Sequence, residues 1–139
     1  MIKTIIVIDG MGGGVGSQLV AKLRESFGKS PEIIALGTNA TATERMIKAG
    51  ADRGATGENA IRVSVGRGGL ILGPIGIVIP DSLMGEITPE MARAILAAPG
   101  ERILLPLQQD HFLIVGIETM PLGKIMERAI ELAREKMGL

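Results

Sequence analysis

Apolar positions along the chain follow two periods, and the switching between them predicts the architecture. From Lys3 to Asp9 a continuous β-branched run reads as a strand covered on both faces, as in a parallel sheet. Val15, Leu19, Val20, Leu23 and Phe27 then recur at helical spacing, with Gln18, Lys22, Arg24 and Glu25 opposite them and Gly28 as the stop. Glu32 to Leu36 is a second short strand, reached through Ser30-Pro31 and left through Gly37. Thr41-Ala42-Thr43-Glu44 has the form of a capping box, and it opens a helix with Met46, Ile47 and Ala49 as its buried stripe and Gly50 at its end.

Ala51 to Ala55 is short and polar, and a brief strand there keeps the alternation. Thr56 is placed to cap a short helix that runs through Val65 and stops at Gly66. Leu70 to Ile79 is nearly all apolar, but Gly73, Pro74 and Gly76 argue for a strand followed by a loop. Thr88-Pro89-Glu90 is a helix start, with Met91, Ala94, Ile95 and Ala98 as the stripe and Pro99-Gly100 as the stop. Arg102 to Leu107 and His111 to Ile117 read as two strands joined by Gln108-Gln109-Asp110, a hairpin that makes an antiparallel edge. Pro121 opens the last helix, in which Leu122, Ile125, Met126, Ala129, Leu132 and Ala133 recur. The alternation predicts a single α/β domain over residues 1–139, with a doubly wound, mostly parallel, Rossmann-like sheet. Ligands of such sheets lie outside the carboxyl ends of the parallel strands, which selects loops 9–16, 37–43, 54–59 and 73–86.

In the first of these loops stand Gly10, Gly12, Gly13, Gly14 and Gly16, directly before a helix. Backbone without Cβ atoms, unpaired N–H groups and the positive end of a helix dipole together suit a phosphate. The spacing Gly10-x-x-x-Gly14-x-Gly16 resembles the short-chain variant of the dinucleotide-binding turn, while the stricter G-x-G-x-x-G fails because Val occupies position 15. A phosphate-bearing nucleotide or dinucleotide is the expected ligand; tight packing of the helix on the first strand is the alternative use of the glycines. A Walker loop is absent, and Met11 and Ser17 stand where a related pattern has lysines. At the end of the second strand, where dinucleotide enzymes place an acid for the adenosine ribose, Thr38 and Asn39 stand instead. Both are candidate ribose contacts, with Asn39 equally a cap, and Arg45 is a candidate partner for a 2′-phosphate. Lack of tyrosine excludes the proton transfer used by short-chain dehydrogenases.

Asp9 repels a phosphate unless it binds a cation or accepts N–H bonds from the turn, and the second, structural role is expected. Glu58, Asp81, Ser82 and Glu86 are candidates for acid/base work or for Mg²⁺ if they converge; roles at helix starts and on the surface are the alternative. The sole histidine, His111, cannot build a multi-histidine site within one chain, and no metal site is expected. Fifteen basic residues balance fifteen acidic ones, so no net field draws nucleic acid or an anionic membrane. With no cysteine, disulfides and thiol nucleophiles are excluded, and a cytoplasmic location is expected. No apolar run reaches the roughly 18 residues of a membrane span. An aliphatic surplus, concentrated in segment 73–87, predicts a homodimer or larger homo-oligomer.

The stretches Ile8-Asp-Gly-Met-Gly-Gly-Gly-Val-Gly, Ala35-Leu-Gly-Thr-Asn-Ala, Gly54-Ala-Thr-Gly-Glu-Asn-Ala-Ile and Gly73 to Pro89 resemble those of a family of small bacterial proteins catalogued only as a domain of unknown function. The resemblance spans nearly the whole chain. It implies a Rossmann-like fold and says nothing of chemistry. Three classes of function stay open: a nucleotide-binding enzyme, a non-catalytic sensor of a nucleotide or cofactor, and a structural oligomer whose glycine turn is packing alone.

Overall fold

The apolar run at the amino terminus becomes β1 (Thr4–Asp9), the middle strand of a five-stranded, wholly parallel sheet in the computed structural model, which describes residues 2–107, 112–117 and 120–139. On one side lie β2 (Glu32–Gly37) and β3 (Arg53–Thr56), and on the other β4 (Leu70–Pro74) and β5 (Glu101–Leu105), giving the order β3-β2-β1-β4-β5. Ile6 pairs with Ile34 on one flank and Ile71 on the other. The helices are α1 (Gly14–Phe27), α2 (Ala40–Lys48), α3 (Glu58–Ser64), α4 (Pro89–Ala97) and α5 (Leu122–Lys136).

Alternation along β1 divides the core into two layers, since successive side chains of a strand face opposite ways. Ile5 and Val7 pack with Leu19 and Leu23 of α1 and with Ile125 and Ala129 of α5. Ile6 and Ile8 pack on the other face with Ile61 of α3 and with Met91 and Ile95 of α4. All four β1 side chains are fully buried, each contributing about 1.5–3 kcal/mol of apolar burial. No helix among the described residues is long and apolar enough to cross a membrane.

The helix at Thr88 begins as expected: the Thr88 hydroxyl accepts from Met91 N at 3.1 Å, with Pro89 at the first helical position. Two other starts differ. Asn39, rather than Thr41, caps α2, its Oδ1 accepting from Ala42 N at 2.9 Å, so the helix starts before the expected capping box. Gly57 precedes α3, while Thr56 ends β3 and donates its hydroxyl to that of Thr43 at 2.8 Å.

The antiparallel edge is not shown. Glu101–Leu105 runs parallel to β4, pairing Leu70 with Glu101 through Pro74 with Leu105. Pro106, which has no N–H for a ladder, follows its last residue. Residues 112–117 form no strand, and His111 lies outside the described residues, as does the expected 108–110 connection.

The chain first builds outward from β1 through β2 and β3, then crosses to β4. That reversal leaves a crevice at the carboxyl ends of β1 and β4, the usual ligand position in open α/β sheets. The loop after β1 and the segment after β4 meet there.

Candidate ligand-binding site at the glycine turn

β1 delivers Asp9 to the base of the turn, and the backbone reverses at once: Gly13 N donates to Gly10 O at 2.9 Å, with Met11 and Gly13 both left-handed at φ 53° and 75°. Asp9 is completely buried. Its Oδ2 accepts from Gly16 N at 2.7 Å, which ties the first turn of α1 to the end of β1, whereas its Oδ1 has no hydrogen-bond partner among the described residues. Burial pushes the Asp9 carboxyl above the ordinary aspartate value; the N–H groups of Gly16 and of the adjacent Gly10 oppose this, the nearby Glu86 charge adds to it, and the Arg45 charge opposes it.

The five glycines divide into two sets. A Cβ at Gly10 would stand 2.5 Å from Thr38 Oγ1, at Gly13 2.8 Å from the Ala42 Cα, and at Gly16 2.6 Å from Met46 Sδ. These three allow α2 and the neighbouring loop to close on the turn. At Gly12 and Gly14 a Cβ would meet only the Arg45 guanidinium, at 3.8 and 3.9 Å. No described backbone contact requires glycine there. The amides of Gly12, Gly14 and Val15 also lack a described acceptor, the last two because they open the helix, whereas Gly16 N donates to Asp9 and Gly13 N to Gly10 O.

Around this open half stand residues from three other segments. Arg45 of α2 donates from Nη1 to Gly12 O at 3.0 Å and forms no ion pair with a described carboxylate. Glu86, from the segment after β4, places Oε1 where it accepts from Met11 N at 2.8 Å, from Asn39 Nδ2 at 3.0 Å and from the Thr38 hydroxyl. Asn39 Nδ2 donates to Met11 O as well, at 2.9 Å. Burial acts to raise the Glu86 carboxyl, but the hydrogen bonds from Thr38, Met11 and Asn39 outweigh it and hold the group below the ordinary glutamate value. Thr38 and Asn39 therefore reach the turn, where both donate to Glu86, while Asn39 also caps α2 and donates to Met11 O.

Glu86 is aimed by an unusual turn. Asp81, Leu83 and Met84 are left-handed at φ 66°, 54° and 56°, followed by Gly85 at 88°. Such non-glycine residues cost about 1–3 kcal/mol each and persist where their surroundings hold them. Here Leu83 and Ile87 are anchored in the core, and Asp81 N donates to Ile87 O at 2.7 Å.

The remaining sequence candidates serve local roles. Ser82 donates its hydroxyl to Gly76 O, Asp81 is exposed, and Glu58 accepts from the Thr88 hydroxyl at the start of α4. No described hydrogen bond joins any of them to the glycine turn. No cluster of three or more metal-ligating side chains occurs among the described residues. Clefts of about 500 Å³ between α1 and α5, and of about 820 Å³ beside Lys3, Arg67 and Lys136, lie away from the turn. Sequence grouped Glu86 with Glu58 and Asp81 as a loop acid. What distinguishes it is contact with residues 47 and 48 positions earlier, which no local pattern signals.

Among solved structures the chain is similar to a crystal structure described as a dodecameric FMN-dependent UbiX-like decarboxylase from Escherichia coli O157:H7. Identity is 14%, the match covers 98% of this chain and 94% of that one, and the TM-score is 0.48, a likeness too distant to carry an argument about ligand or assembly. No curated protein matches the sequence. The family described as Domain of unknown function (DUF3842) matches residues 4–138, and the chain belongs to that family.

Proposed function

We propose that this protein binds a phosphate-bearing nucleotide or dinucleotide-type ligand at the open half of the glycine turn. One observation carries the reading: the amides of Gly12, Gly14 and Val15 lie without described acceptors at the start of a 14-residue helix, beside an Arg45 guanidinium that forms no ion pair with a described carboxylate. Packing alone accounts for Gly10, Gly13 and Gly16 but gives no reason for glycine at 12 and 14. Because Glu58 and Ser82 are engaged elsewhere and Asp81 has no described side-chain bond to the turn, the residues at hand support binding more than any particular reaction. Calorimetric titration with adenine and flavin nucleotides tests the proposal. Gly14→Val, whose Cβ would meet only Arg45, is expected to block the proposed phosphate position, abolishing binding while leaving far-UV circular dichroism nearly unchanged. Failure of every such nucleotide to bind the wild type would overturn the reading.

We propose in addition that the chain self-associates, through a surface other than segment 73–87. Ile77, Leu83 and Ile87 of segment 73–87 are buried in this chain's own core. Leu113 and Val115 are instead 86% and 90% exposed, with Phe112, Met120 and Leu122 also exposed. They follow β5, whose outer edge pairs with no described strand. The partner proposed is a second copy of the chain. Sedimentation tests it: the wild type is expected to associate, and Leu113→Asp with Val115→Asp to be monomeric, whereas a wild-type monomer at high micromolar concentration would contradict it.

A further inference from the structure

We infer that Glu86 is the specificity-determining residue of the site, recognising hydroxyl donors on the sugar or polyol that carries the phosphate; the inference rests on the phosphate reading above. Three donors converge on a single oxygen, Oε1: the Met11 N–H, the Asn39 amide and the Thr38 hydroxyl. The other oxygen, Oε2, accepts no hydrogen bond from the described residues. A carboxylate held this way is a fixed acceptor with one face spare. Its charge is retained, since those hydrogen bonds keep its protonation below the ordinary range.

The site is thereby polarised. Glu86 occupies the amide of Met11, and the free amides begin one residue further on, at Gly12, on the side where Arg45 lies. A bare inorganic anion satisfies the Gly12 to Val15 end and is repelled by Glu86. A ligand with hydroxyls next to its phosphate satisfies both ends, because hydroxyls donate to Oε2 while the phosphate takes the amides and the guanidinium. Ribose 5-phosphates have that order of groups. In dinucleotide-binding sheets the ribose acid comes from the end of the second strand, a place held here by Thr38 and Asn39. Both donate to Glu86 instead, so the acid reaches the same place from the segment after β4. Thr38 and Asn39 are positioning residues in this scheme. The strained 81–85 turn has a use in it as well: Leu83 is anchored in the core while the backbone swings Glu86 over the end of β1.

The test is a calorimetric comparison of adenosine 5′-monophosphate with its 2′,3′-dideoxy analogue on wild type, Glu86→Gln, Thr38→Val and Gly14→Val. Wild type is expected to prefer the hydroxylated nucleotide by tenfold or more. Glu86→Gln should reduce that preference to threefold or less while binding the dideoxy analogue at least as well as wild type, and Thr38→Val should reduce it partly. A structural role for Glu86 would weaken both ligands together and leave their ratio unchanged. Equal wild-type affinity for the two nucleotides, or a preference that survives in Glu86→Gln, overturns the inference. If Gly14→Val binds both as tightly as wild type with the preference intact, the phosphate position fails and the hydroxyl recognition stands. If wild type binds neither nucleotide, both fall.

Discussion

The two halves of the glycine turn differ in what their missing side chains make room for. Gly10, Gly13 and Gly16 face protein: Thr38, the Ala42 backbone and Met46 occupy the space that a Cβ would take. Gly12 and Gly14 face only the end of Arg45, and with Val15 they keep their amides free of described acceptors. One half is explained by folding, and the other is the half proposed above to hold a phosphate. A run of glycines before a helix is thus two signals in one, and only the neighbours in space separate them.

The largest expected effect breaks the comparison at its inner half. Gly13→Ala combines a left-handed backbone with a collision on the Ala42 backbone, and should cost about 2–4 kcal/mol of stability in urea titration. Gly12→Ala should stay within about 0.5 kcal/mol of wild type, as exposed substitutions without special geometry do. Equal losses at the two positions would erase the division.

A smaller effect separates the residues that hold the site's rim. Asn39→Ala removes the cap of α2 and one of the donors to Glu86, and should cost about 1–2 kcal/mol. Thr41→Ala, at the capping position expected from sequence, should change stability by less than about 0.5 kcal/mol. Matched thermal melts of the two variants decide which residue caps the helix.

Both signals were present in the chain, and their fates show what pattern can reveal. The Lys3 to Asp9 run, the stripe from Val15 to Phe27 and the Thr88-Pro89 start were legible because strand alternation, helical period and first-turn chemistry are local. The glycine turn and Asp9's bond to the turn were legible for the same reason. Thr41 misled because Asn39, two residues earlier, offers the same cap chemistry, and a capping pattern does not say which candidate the backbone will use. Arg102 to Leu107 was legible as a strand and pairs with β4 in parallel, whereas the hairpin partner expected over His111 to Ile117 is not shown, since residues 112–117 form no strand. Glu86 was named but not placed, since its partners Thr38 and Asn39 are fixed by the sheet's crossover from β3 to β4.

The smallest effect concerns the charge beneath the turn. Asp9's carboxyl lies above its unfolded value in the native state, mainly through burial, so between those two values the native protein binds more protons than the unfolded chain. Stability should therefore fall as pH rises through that interval, starting near the ordinary aspartate value of 3.8. Asp9→Asn keeps an oxygen for Gly16 N and should flatten this slope. An identical slope in both proteins, followed by chemical denaturation between pH 3.5 and 7, would mean that Asp9 binds protons equally in the native and unfolded states, and a slope more positive in wild type would mean that it is stabilised as the charged form.

The most direct test of the central claim follows the backbone amides of the turn by heteronuclear NMR while adenosine 5′-monophosphate is added. Resonances of Gly12, Gly14 and Val15 should move most, and those of Gly10, Gly13 and Gly16, which are held against protein atoms, should move least. Shifts confined to other parts of the chain, or equal shifts across both halves, would contradict the assignment of the open half to a phosphate.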